Sequence, residues 1–183
     1  MLRATSISCV TLALATGCGV NPHKRNPVVA TTAPWVESVA IETVAELPLP
    51  PGNVTVGPGG RVFFTFHPSA EPQTKVAELL PSGEHAPYPD ARWQTERDDA
   101  PYFVTPLSLR ADAKGRLWVL DHGDYGDESP SLTAFAIGTR EVVHRFEFPC
   151  DVAGWGSMLN DFWVDSEREL IYIADQHEMR VGT

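Results

Sequence analysis

The chain has 183 residues, with 14 Lys+Arg against 24 Asp+Glu, a formal net charge of −10 and 43% hydrophobic residues. That apolar share supports a packed core and excludes a wholly disordered chain. The acidic balance excludes a phosphate-tracking surface, and with it nucleic acid as a partner. No run reaches the roughly 20 apolar residues of a membrane-spanning helix. The 16 Pro and 14 Gly, with no long 3.6-residue stripe, lean toward an all-β fold.

Residues 1–17 read as a secretory signal: Arg3 is the only charge, Ala4 to Gly17 is uncharged and mostly small or apolar, and Cys18 follows Ala15, Thr16 and Gly17. The arrangement is similar to a bacterial lipobox, in which Cys18 would carry lipid. Ala15 stands where that motif usually has Leu, and Leu14 comes one place early. A plain cleaved signal or a buried N-terminal helix is the alternative. Residues 18–45 are then a tether, short on large apolar side chains as far as Pro34. Cys9 leaves with the signal and Cys18 is acylated, so Cys150 remains alone. An intrachain disulfide and a Cys-based zinc site are both excluded. The expectation is an exported protein that meets membrane only through its lipid anchor.

From residue 46 to 183 one phrase recurs. Asn53 to Thr65, Ser108 to Asp121 and Asp161 to Asp175 each hold a short apolar strand, a tight polar or glycine turn and a second, strongly β-prone strand. Aligning Val56, Ala111 and Val164 gives a period of about 50 residues, the signature of a propeller blade. Ser131 to Ile137 and Glu141 to Phe148 flank a turn at Gly138 and supply a third and fourth strand; Thr74 to Leu80 and Glu84 to Tyr88 do so in the first copy. The blades are expected at residues 53–88, 106–148 and 159–183, about two and a half in all. A ring needs 4–8 blades, so a truncated frame, or self-association of the open propeller, is expected.

The stretch from Leu117 to Asp175 resembles the major royal jelly protein / yellow family. The matching words are Leu117 to Gly123, Pro130 to Phe135, Phe146 to Pro149, Ser157 to Asp165 and Ile171 to Asp175, with Pro87 to Trp93 upstream. Ala136 departs from the Asp often found there in the family. The resemblance implies a six-bladed propeller, export, and a small-molecule ligand in the channel. It also implies a choice of chemistries: a dopachrome-converting isomerase, an activity similar to the metal-dependent lactonase group, or ligand binding without turnover. A non-functional fragment is the remaining alternative.

Asn160 and Asp161 begin the innermost strand of the third blade, which lines the channel in a propeller, and are the expected ligand-binding pair. The lactonase likeness implies that they also supply oxygen ligands to a divalent cation such as Ca; capping a turn is the competing role. Asp121 is the third expected ligand-binding residue, or else, with Asp175, an Asp that closes each hairpin. Asp121, His122, Asp124, Asp127 and Glu128 crowd one loop without calcium-loop spacing, which reads as a solvated acidic loop. His122 is the candidate catalytic proton carrier, with His67 and His177 after the corresponding strands of the other blades. Phe63, Phe64, Trp118, Phe135, Phe146, Phe148, Phe162, Trp163 and Tyr172 are expected to pack between blades. No nucleophile elbow or P-loop is present.

Overall fold

The computed structural model describes residues 42–176; the leader, Cys18 and His177 lie outside the described residues. The chain divides between Glu42 and Thr43, and the sheets belong to the second unit. Among the described residues, ten strands form three antiparallel sheets. The first holds β1 (Pro51–Val56), β2 (Val62–Phe66), β3 (Val76–Leu79) and β4 (His85–Pro87) in that spatial order. The second repeats the meander with β5 (Pro106–Ala111), β6 (Arg116–Asp121), β7 (Ser131–Ala136) and β8 (Val142–Glu147), and the third holds β9 (Leu159–Asp165) and β10 (Leu170–Asp175). The first strands lie side by side, β1 against β5 and β5 against β9. The molecule is therefore all-β, two and a half blades of a propeller-type arrangement.

Local chemistry explains the hairpins. The strands are rich in branched and aromatic residues, and left-handed residues turn the chain between the first two strands of each blade: Gly59 and Gly60, then Gly115, then Glu169 at φ +56°. Asp112 and Asp165 hold the second and third turns from matching places. Asp112 accepts the backbone N–H groups of Lys114 and Arg116, and Asp165 those of Glu167 and Arg168.

Packing follows the alternation of the strands. Phe63, Leu109, Leu117 and Phe135 meet Tyr88 and Phe103 between the first two blades. Trp118, Leu120 and Phe162 form the next layer, against Ile171 and Ile173. Each such aromatic stabilises the fold by about 2–3 kcal/mol through burial. Glu78 ties blades one and two electrostatically: Arg61 binds its two oxygens at 2.6 and 2.8 Å, and Arg140 from the second blade reaches it at 2.9 Å. The hydrogen bond to Glu78 keeps the Arg61 guanidinium above its ordinary pKa despite burial.

The expected inter-blade packing of the aromatics does not hold for Phe146, Trp163 and Tyr172, which are exposed. Phe146 lies on β8, the outermost strand of its blade. Trp163 and Tyr172 are cross-strand partners on a face of the third sheet that no blade covers among the described residues.

One irregularity repeats in all three blades and positions the site. Each innermost strand carries an extra residue near its start: at Gly52/Asn53 opposite β2, at Leu107 opposite β6 and at Asn160 opposite β10. A bulge of this kind bends the strand and re-aims a side chain.

Candidate functional site

The bulge register defines which residues correspond. Phe66, Asp121 and Asp175 end the second strand of their blades, and the next residue in each closes the same backbone bond. His67 N–H donates to Pro50 O, His122 N–H to Thr105 O and Gln176 N–H to Met158 O. Gln176, rather than His177, thus holds the position of the two earlier histidines. His177 follows one place later and lies outside the described residues.

His67 and His122 line one cavity of about 210 Å³, together with Ser69, Thr105, Leu107, Asp124, Tyr125 and Met158. His122 is only 2% exposed, unlike the solvated loop histidine expected. Its Nδ1 accepts the Tyr125 N–H at 3.0 Å, and the two rings lie 4.9 Å apart. Burial lowers the His122 pKa, against the opposing pull of Asp121 and Asp124. His67 repeats the arrangement: its Nδ1 accepts the Ser69 N–H at 3.2 Å and lies 2.7 Å from Ser69 Oγ.

The loop after His122 is an ordered left-handed turn. Gly123, Asp124, Tyr125 and Gly126 all have positive φ, at +59°, +46°, +59° and +76°. Such a conformation costs roughly 1–2 kcal/mol at each non-glycine residue and persists only where its surroundings enforce it. Here Asp124 N–H donates to Thr105 Oγ1 at 2.7 Å, Gly123 N–H to Asp121 at 3.0 Å, and Tyr125 O accepts from Gly156 N–H at 2.7 Å.

Asp121 is buried, and its carboxylate accepts three backbone N–H groups, from Val104 at 2.7 Å, Thr105 at 2.8 Å and Gly123 at 3.0 Å. It frames the cavity by pinning the approach to β5 and the left-handed turn. Asp175 does the same in the third blade, accepting the Met158 N–H at 2.9 Å.

Asp161 faces a different set of partners. Asn53, Ser108 and Asp161 occupy matching places on the three innermost strands, two residues after Pro51, Pro106 and Leu159, and Arg110 joins them. Its Nη1 donates to Asn53 Oδ1 at 2.9 Å, its Nη2 donates to both Asp161 oxygens at 2.8 and 2.9 Å, and Ser108 Oγ donates to Asp161 at 2.7 Å. Asn160 is half-buried, lies within β9 rather than in a turn, and makes no side-chain hydrogen bond among the described residues.

The guanidinium already supplies the positive charge that a cation at Asp161 would bring. Among the described residues no group of three or more His, Cys, Asp or Glu side chains can hold a metal ion. With Arg110 on both of its oxygens, the Asp161 carboxylate is not an open cation ligand among the described residues.

Sequence reasoning passed over Arg110, Thr105, Tyr125 and Met158. Arg110 was legible as the one charged residue of β5. The others could be found only once the register was known.

A family model described as Major royal jelly protein matches residues 104–181. Protein yellow of Drosophila subobscura is 29% identical over 106 residues, which is 52% of this chain and 19% of that protein. Major royal jelly protein 3 of Apis mellifera is 30% identical over 102 residues, 49% of this chain and 18% of the relative. Protein yellow of Drosophila melanogaster is 35% identical over 78 residues, 39% and 14% respectively. The chain thus spans less than a fifth of the length of these curated relatives. Among solved structures, Kuenenia stuttgartiensis hydrazine synthase aligns over 72% of this chain and 31% of its own, at 17% identity and a TM-score of 0.41. Residues 104–181 are thus similar to the major royal jelly protein / yellow family.

Proposed function

We propose that this chain builds part of a yellow-like propeller that binds a small molecule in the cavity where the second strands of the first two blades end. The observation that carries the reading is that His67 and His122, at register-equivalent positions of two blades, line one cavity. Asn160 is the proposed contact from the third blade. It holds the bulge position that Leu107 holds in the second, and Leu107 lines the cavity.

The test is ligand-observed NMR with a fragment library on the chain and on its His67→Ala and His122→Ala variants. Fragments that lose contact in both variants support the reading; binding indifferent to both histidines overturns it.

Turnover is the second reading, favoured by the strained Asp124 and Tyr125 beside His122, since such strain gathers at functional sites. The isomerase-like and lactonase-like activities are its two forms, and product formation that survives His122→Ala removes both. Export with lipid on Cys18 belongs to the same proposal, supported by the lipobox-like Ala15 to Cys18. Cys18→Ser should release the protein from the membrane fraction or leave its precursor unprocessed; mature protein that stays membrane-bound overturns the anchor.

A further inference from the structure

We propose that the cavity between His67 and His122 is selective for an uncharged carbonyl compound of about one ring, whose oxygen accepts from an imidazole Nε2–H. This rests on the small-molecule reading above and assigns its ligand chemistry.

Two backbone amides fix the tautomers of the two rings. A neutral imidazole has one donor and one acceptor nitrogen, and the bond made by one decides the role of the other. Tyr125 N–H points at Nδ1 of His122, and Ser69 N–H at Nδ1 of His67. An amide only donates, so both Nδ1 atoms are acceptors and the proton of each ring sits on Nε2. Among the described residues neither Nε2 has a partner. The same local device, an imidazole capping the turn that follows the second strand, thus leaves a fixed Nε2–H donor on each ring of one cavity.

Each alternative ligand class meets an obstacle in this cavity. A cation or amine would face an N–H donor on either ring. A divalent metal on Nε2 would drive the proton to Nδ1, against the Tyr125 or Ser69 amide. An anion would sit beside the Asp124 carboxylate, which lines the cavity, and near the Asp121 carboxylate at the adjoining residue. A neutral carbonyl oxygen satisfies the donors without adding charge. The cavity of about 210 Å³ compares with roughly 150 Å³ for one that holds benzene; Leu107, Tyr125 and Met158 give it apolar walls.

The experiment separates the two edges of the His122 ring. In His122→Asn the side-chain oxygen takes the place of Nδ1 and still caps the turn, but no Nε2–H remains. In His122→Gln the amide N–H takes the place of Nε2–H, but the cap is lost. The probes are benzamide, acetophenone, benzoate, benzylamine and Zn²⁺, read by the imidazole ¹⁵N resonances of the labelled chain and by thermal melting.

The expected result is Nε2–H tautomers for both rings and saturable shifts with benzamide and acetophenone. Binding of these should weaken about ten-fold in His122→Asn and persist in His122→Gln, although the melting temperature at neutral pH falls further in His122→Gln, which loses the cap. An Nδ1–H tautomer at either ring, or tighter binding of benzoate, benzylamine or Zn²⁺, overturns the carbonyl assignment while leaving a ligand site in place. If none of the five probes shifts either histidine, the small-molecule reading of the cavity falls with it.

Discussion

Arg110 spans the first three innermost strands by holding both oxygens of Asp161 from one guanidinium nitrogen and the Asn53 side chain from another. It is the side chain through which three blades share one polar row. Asp161 is half exposed, so solvent screens the ion pair and its Coulomb contribution is small. We predict that Arg110→Met costs about 1–2 kcal/mol, mostly from unpaired Asn53 and Asp161. A double-mutant cycle with Asp161→Asn should give a coupling of about 0.5–1 kcal/mol in denaturant melts; additive effects would show that the row does not join the blades.

The left-handed turn beside His122 makes Gly126 intolerant of a side chain. A Cβ there would run into Gly154 O, at a φ of +76°. Gly126→Ala should destabilise by about 2 kcal/mol or more, whereas Gly83→Ala, also at positive φ but in open space, should cost about 1 kcal/mol. Equal melting shifts for the two would remove the steric argument.

His122 makes stability depend on pH. Burial holds its folded pKa below the unfolded value of about 6.5. Between the two values the unfolded chain binds more protons, so stability rises with pH there. The contribution is complete above about pH 6.5 and is lost as pH falls through the folded pKa. His122→Asn removes the titrating ring while keeping the cap, so the difference between its melting profile and that of the parent chain should slope below pH 6.5 and flatten above it. A flat difference across the whole range would contradict the assignment.

Tyr88 is fully buried, and its hydroxyl has no hydrogen-bond partner among the described residues. Burial pushes its pKa up to about 12, against the pull of Arg61 and Arg140. The ring itself packs edge-on to Phe63 and carries Arg140 above it. Tyr88→Phe keeps both contacts and deletes only the orphaned hydroxyl, so it should stabilise the fold by about 1 kcal/mol. A lower melting temperature would reveal a partner for that hydroxyl.

The uncovered face of the third sheet predicts solution behaviour. Trp163 is 66% exposed and Tyr172 55%, side by side across β9 and β10. The chain should bind a hydrophobic dye and self-associate, and Trp163→Glu with Tyr172→Lys should reduce both. A monodisperse, dye-negative parent chain in light scattering would refute this.

The blade pattern was legible because it rests on local chemistry. Alternating branched and aromatic residues, bounded by Gly59 and Gly60 or by Gly115, specify hairpins without reference to anything distant, and three spaced copies imply stacked blades. Asp121 and Asp175 could be paired for the same reason, since each ends a β-prone run.

What the tertiary structure decided is register and partnership. Sequence alignment set His177 beside His67 and His122; the shared backbone bond gives that place to Gln176. Asp161 read as an open oxygen ligand because Arg110 lies 51 residues away in sequence, and only the packing of β5 against β9 brings the two together. His122 read as a solvated loop residue, since nothing nearby in sequence buries it. The left-handed turn and Thr105 enclose it, and the direction of one amide, that of Tyr125, determines which ring nitrogen can serve a ligand. Pattern determines which residues become strands; the protonation and partners of a side chain depend on atoms that the chain brings close only by folding.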